Sequence, residues 1–268
     1  MFQKSLRIKQ PNCILVVYYL MSKKIMIAGA GWLGRPLALA LNNSHNDVTV
    51  LSRSDEQSAF FNAQHISLIQ LDYLQIEHSH INSEQNKTLI ICIPPVPDYS
   101  SIINGLISTL APSHIIFSSA TSVYSQTTGE VTEASSLGGN PVLEEAESLI
   151  IDSGIPYSIL RLGGLINEQR NPATHFSGKF NIPNGGAPVN LIHRDEIIEL
   201  IAQVIARNAH GVFNVVYPSH PTRKEYYEKQ CIQRGLLACE FTEDGTGKIV
   251  NGSKISALLN RPYRFSIE

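Results

Sequence analysis

Three glycines, Gly29, Gly31 and Gly34, stand between an apolar run and an amphipathic one, and their spacing suits the grip of a diphosphate. In Gly29-Ala30-Gly31-Trp32-Leu33-Gly34 the first glycine permits a tight turn and the second lets backbone amides approach the pyrophosphate. The third lets a helix pack closely on the preceding strand. The helix start adds N–H groups without partners and a partial positive charge. A dinucleotide is what such a loop holds, so NADP(H) or NAD(H) is the expected cofactor. The second strand should then carry an acidic residue to the adenosine ribose about 20 positions on. The chain reads Leu51-Ser52-Arg53 there instead. A guanidinium at Arg53, with the Ser52 and Ser54 hydroxyls, suits a 2′-phosphate that a carboxylate would repel. This favours NADP(H); the competing reading of Arg53 is a solvated loop residue. Asp72 is read two ways, against the adenine edge or as a helix cap.

The elements that must position these residues follow from the pattern of the chain. From Lys24 onward, short apolar runs alternate with amphipathic stretches, as in βαβ units with helices on both faces of a parallel sheet. The strands are read at Ile25 to Ala28, Val48 to Leu51, Ile66 to Gln70, Thr88 to Ile93, His114 to Ser118 and Tyr157 to Leu162. Leu33, Leu37 and Leu41 recur at helical spacing, as do Val142, Ala146, Leu149 and Ile150. The second of these helices has a start signal in Asn140, Pro141, Glu144 and Glu145. After Gly163 the texture turns to Gly, Asn and Pro, and a helix from Asp195 to Arg207 follows. The expected fold is α/β, a Rossmann-type doubly wound parallel sheet with a small C-terminal substrate lobe. Residues 23–162 form the dinucleotide-binding core, and 163–268 form a mixed part whose lobe interleaves with that core. Residues 1–22 are an extension or a misassigned start, because Met-Ser-Lys-Lys at Met21 leads straight into the first strand. The alternative is a targeting role: Lys4, Arg7 and Lys9 precede an apolar run from Cys13 to Leu20, which is too short to span a bilayer.

Four segments carry a family resemblance: the glycine loop, Phe117-Ser118-Ser119-Ala120-Thr121-Ser122-Val123-Tyr124, Arg161-Leu162-Gly163-Gly164, and Asn190-Leu191-Ile192-His193-Arg194-Asp195. Together they resemble the extended short-chain dehydrogenase/reductases of the epimerase/dehydratase type, from about Lys24 to the end of the chain. Gly31-Trp32-Leu33-Gly34, Ser219-His220-Pro221-Thr222-Arg223 and Gly247-Lys248-Ile249-Val250-Asn251-Gly252-Ser253-Lys254 make the chain similar to the atypical YeeZ-like branch. The resemblance implies further cofactor contacts at Ile93, Pro94, Ser118, Ser119, Leu162 and Gly163. It also implies a nucleotide sugar or another polar carbonyl or alcohol as the small-molecule substrate, and a homodimer. That family uses a Tyr hydroxyl as acid/base, a Lys four residues on, and a Ser or Thr that orients the substrate. Here the constellation is missing. The Tyr-x-x-x-Lys at Tyr19 to Lys23 precedes the first strand, the helix that should hold the pair begins Asn140-Pro141-Val142-Leu143, and Ala120 occupies the Ser/Thr position. The substitutes are Tyr124, Thr121 and His193, each with a structural reading beside the catalytic one. For His193 that reading is a hydrogen bond at a helix start. Arg170, His175, His220 and Arg223 could line a pocket for an anionic substrate or face solvent.

The composition excludes other classes. With 268 residues, 43% hydrophobic and 16% charged, the chain can bury a sizeable core. Lys plus Arg number 21 against 23 Asp plus Glu, too balanced to hold a nucleic-acid backbone. Cys13, Cys92, Cys231 and Cys239 have neither zinc-ligand spacing nor the pattern of a disulfide framework. A cytoplasmic protein with reduced thiols, no metal, no nucleic acid and no membrane is expected. The function classes are an NAD(P)-dependent reductase, epimerase or dehydratase with non-standard acid/base groups, or a non-catalytic dinucleotide-binding redox sensor or regulatory protein.

Overall fold

Continuous Ile/Val/Leu runs become strands buried on both faces, because helices cover each side of a parallel sheet. The computed structural model describes residues 22–79, 81, 87–259 and 261–268. The basic and apolar stretch of 1–20, the start at Met21 and the Tyr19 of the Tyr-x-x-x-Lys match lie outside them. The sheet strands are β1 (Lys24–Ala28), β2 (Asp47–Ser52), β3 (Ser67–Gln70), β4 (Lys87–Ile91), β5 (His114–Ala120), β7 (Tyr157–Leu162) and β10 (Gly211–Val215). All pair in parallel, in the order β10-β7-β5-β4-β1-β2-β3. Strand order reverses between β1 and β4, so the ligand crevice of such a sheet lies outside their carboxyl ends. The glycine loop follows β1 there. The six expected strands are present, and β10 adds a seventh beside β7.

Alternation within the strands splits the core in two. Ile25, Ile27, Val50, Ile90 and Ile116 face one cluster, with Leu37 and Leu41 of α1 (Gly34–Asn43), Phe61 of α2 (Ser58–Ala63) and Ile201 and Val204 of α5 (Arg194–Arg207). Met26, Ala28, Leu89, Ile91 and Phe117 face the other, with Ile103 and Leu106 of α3 (Tyr99–Leu110) and Ala146 and Ile150 of α4 (Pro141–Asp152). The start of α4 is as the residues suggest: Asn140 accepts the Leu143 N–H at 3.3 Å, Pro141 is the first helical residue and Glu144 sits in the first turn. A third cluster joins Val189 and Leu191 to Tyr226 and Tyr227 of α6 (Arg223–Gln233) and to Phe241. Two short parallel pairs, β6 (Gly129–Val131) with β11 (Lys248–Val250) and β8 (Gly164–Ile166) with β9 (Leu191–His193), tie the later chain across the carboxyl side; α7 (Ser253–Leu259) follows. No described helix is long and apolar enough to cross a membrane.

One buried histidine gives the fold a pH signature. His114, 6% exposed, donates from Nε2 to Ser158 Oγ at 2.9 Å, since that hydroxyl gives its own proton to the Ala209 carbonyl. Burial, then the neighbouring His210 and Lys23, pull its pKa from 6.5 down to about 4. Between those values the unfolded chain binds a proton that the folded chain refuses. The stabilisation is therefore complete above about pH 6.5 and is lost as pH falls towards 4. Urea midpoints measured across that window should fall more steeply for the native chain than for His114→Gln; parallel profiles would refute the assignment.

Candidate functional site

Each glycine of the loop meets a distinct geometric demand. Gly29 has φ +108°, a region that disfavours L side chains, and a Cβ there would stand 3.1 Å from the Cys92 carbonyl. A Cβ on Gly34 would overlap the Gly29 carbonyl oxygen, so α1 rests on β1 at backbone distance. At Gly31 a Cβ would meet nothing within 4 Å. That open space at the start of a helix, beside the strand-order reversal, is the cradle a diphosphate needs. Gln57, unremarked in the sequence, straps the loop from outside: its Nε2 donates to the Ala30 carbonyl at 3.0 Å, while its Oε1 is buried without a partner. The residues present therefore fit a dinucleotide.

Around the cradle, the expected contacts lie on successive strand ends. Ser52 Oγ accepts the Ser54 N–H at 3.2 Å, which shapes the turn that exposes Arg53. Asp72 caps the 3₁₀ turn Tyr73–His78 by accepting the Leu74 N–H at 3.0 Å. Ile93 is buried at the end of β4 and Pro94 is exposed beyond it. Ser118 faces Cys92 Sγ at 3.6 Å; burial pushes that thiol up to about 11, so it stays protonated and is no nucleophile at neutral pH. Leu162 and Gly163 are buried at the end of β7, and the Gly163 N–H donates to the Val215 carbonyl at 2.9 Å. Trp32 lies under the guanidinium groups of Arg170 and Arg194, each 5.0 Å from its ring centre.

The three acid/base candidates stand in separate hydrogen-bonded surroundings. Tyr124, 2% exposed, donates its hydroxyl to Asn214 Oδ1 at 2.5 Å and accepts from Arg161 Nη1 at 3.0 Å. Burial raises its pKa, partly offset by Arg161, which is opposite to the lowering an acid/base tyrosine requires. Ser119 belongs to the same buried network, donating to Glu147 Oε1. His193 caps α5, its Nδ1 accepting the Asp195 N–H at 3.2 Å; Nε2 therefore carries the proton and faces Glu168 Oε1 at 3.2 Å. Its ring stacks on Phe265, with centres 5.1 Å apart. Thr121 is half-buried at the end of β5, and its carbonyl accepts from Lys248 Nζ at 2.8 Å. Lys248, quoted above only within a family motif, is the cation the sequence reading missed at this edge. It also reaches the Tyr124 carbonyl at 3.4 Å, and burial lowers its pKa. His220 Nδ1 lies 3.1 Å from the Val189 carbonyl, Arg223 donates to the carbonyls of Pro183 and Asn184, and neither lines the cleft that holds Arg170 and His175.

The chain matches the family described as NAD(P)H-binding over residues 29–208. It is 30% identical to Protein YeeZ of Escherichia coli (strain K12), with 91% of this chain and 96% of that protein aligned. Among solved structures, UDP-glucuronic acid 4-epimerase from Bacillus cereus in complex with NAD superposes with a TM-score of 0.71 at 18% identity, covering 91% of this chain and 94% of that one. The Bordetella bronchiseptica enzyme WbmG in complex with NAD gives 0.74 at 12% identity, covering 92% and 91%. With the glycine cradle, the strand order and this match in hand, the chain belongs to the NAD(P)H-binding family and is a relative of Protein YeeZ.

Proposed function

We propose that the chain binds NADP(H) in preference to NAD(H) and acts as an oxidoreductase or epimerase on a nucleotide sugar or another polar carbonyl or alcohol, without the usual Ser/Tyr/Lys triad. The open cradle at Gly31 carries the coenzyme half of this reading, and the exposed Arg53 carries its preference for a 2′-phosphate. The bound nicotinamide would supply hydride chemistry. This chain would supply polar groups at the carboxyl end of β5, where the Thr121 hydroxyl is half-buried and Lys248 brings an ammonium group. In this reading Tyr124 and His193 position their surroundings. The substrate class is supported by MoeE5, a fold neighbour whose structure holds UDP-glucose and NAD. A cytoplasmic location belongs to the same reading.

The burial of the Tyr124 hydroxyl favours a second reading, a dinucleotide-binding redox sensor without turnover. Calorimetry with both coenzymes, followed by an assay for oxidation of reduced coenzyme against a panel of UDP-sugars and simple aldehydes, separates the two. The native chain should bind NADPH about tenfold or more tightly than NADH, and Arg53→Asp should invert that ratio. An unchanged ratio would remove Arg53 from the phosphate site. Tight coenzyme binding with no turnover across the panel would favour the sensor.

A further inference from the structure

Two buried asparagines fix the segment after β8 where the C-terminal part meets the glycine loop. Asn167, 3% exposed, accepts the N–H groups of Gln169 at 3.1 Å and Arg170 at 2.7 Å, and its own N–H donates to the Arg170 carbonyl at 2.9 Å. Asn171, also 3% exposed, accepts the Ala173 N–H at 2.9 Å and donates to Tyr226 Oη at 3.3 Å and Gln230 Oε1 at 3.0 Å on α6. Backbone held this way carries the Arg170 guanidinium over Trp32. Arg194, the other cation at that indole, is neutralised by Asp195 at 2.8 Å, whereas Arg170 meets no carboxylate among the described residues. Beside Arg170 opens a cleft of about 330 Å³, running from Gly164 and Leu165 past Gln169 to Thr174 and His175, with no Asp or Glu in its wall. A guanidinium stacked on an aromatic face keeps its charge, and its N–H edge stays turned outward. An acid-free cleft at the carboxyl side of β7 is where that edge would be used.

The geometry points to an anion subsite in which Arg170, backed by Trp32 and joined by His175, binds a phosphoryl or carboxylate group of the substrate. Because Trp32 belongs to the glycine loop, occupancy of the subsite is coupled to occupancy by the coenzyme. The subsite deepens the reading of the preceding section and rests on it for that coupling. Bidentate N–H···O⁻ bonds from Arg are the strong, oriented kind, so loss of the guanidinium should weaken anion binding by about tenfold or more.

The test uses the full chain saturated with NADPH, so that the diphosphate cradle is filled. Inorganic pyrophosphate is titrated as the phosphoryl probe and malonate as the carboxylate probe. At least one should bind the native protein, about tenfold more weakly to Arg170→Gln, with Arg170→Lys between them. By linkage, that probe should tighten NADPH binding by the factor by which NADPH tightens probe binding, and the tightening should vanish in Arg170→Gln. Equal probe affinity in the native and Arg170→Gln proteins, or binding of neither probe, overturns the subsite. Probe binding that depends on Arg170 but leaves NADPH affinity unmoved overturns the coupling. A failed NADPH titration would condemn the coenzyme reading separately, and the dependence on Arg170 would then be read on the NADPH-free chain. Melting curves confirm that each variant is folded.

Discussion

Gly31→Asp is expected to lower NADPH affinity by about 100-fold or more while leaving the unfolding midpoint nearly unchanged. The two halves of this expectation have separate causes. A side chain at position 31 grows into open space, with no atom within 4 Å of its Cβ and no left-handed φ to strain it, so the fold has no reason to suffer. A carboxylate ahead of α1 even suits the helix dipole. The same carboxylate would occupy the cradle and repel a diphosphate; like charges set against each other in an interface cost several kcal/mol, and 100-fold is about 2.7 kcal/mol. Position 34 shows why this variant is the informative one. A methyl group at Gly34 would collide with the Gly29 carbonyl, so affinity and folding would fail together there. Calorimetric titration and a melting scan of Gly31→Asp decide the matter. Native-like affinity would mean that the loop does not hold the coenzyme.

Glu147→Ala should remove about 3–5 kcal/mol of stability, a large share of the roughly 5–15 kcal/mol typical of a domain. Glu147, 1% exposed, receives Arg161 Nη2 at 2.7 Å and Nε at 3.1 Å, together with the Ser119 hydroxyl. Truncation leaves the guanidinium of Arg161, 4% exposed, charged and without its counterion. Its remaining partners are the Tyr124 hydroxyl and the Glu133 carbonyl at 3.3 Å, neither of which carries a charge at neutral pH. Adding Arg161→Met should recover part of the loss, because the second change removes the orphaned charge. Urea unfolding of the two variants supplies the measurement; a loss under about 1 kcal/mol in the single variant would show that water enters and solvates the pair.

The legible parts of the chain were those whose signals are local. β7 is the run Tyr157 to Leu162 as read, α4 starts where Asn140 and Pro141 announce it, and the glycine loop lies between the strand and helix its spacing demands. β10 escaped because its Gly-Val-Phe-Asn-Val puts a polar residue between the buried Phe213 and Val215. Asn214 is tolerated there only because it pairs with Tyr124 and with the Asn251 carbonyl at 3.0 Å. The three-residue strands β6, β8, β9 and β11 are too short to show a period. Around the candidate site, sequence reasoning could place Tyr124 within the expected segment. It could not see that its hydroxyl is spent on a residue 90 positions away. Lys248 was hidden for the same reason, since its contact with Thr121 spans 127 positions.

The lateness of β10 and α5 bears on how the protein is made. Both pack into the core that Ile25 and Leu37 begin, and Lys23 Nζ is held by the Ile205 carbonyl across 182 positions. At about 5–20 residues per second, the stretch from Leu162 to Val215 leaves the ribosome over roughly 3–10 s. Throughout that interval the nascent chain carries an unsealed strand edge at β7 and a greasy underside beneath α1. Exposed apolar surface and an unpaired edge favour aggregation, so a ribosome that stalls within the stretch would release a fragment prone to sticking to its neighbours.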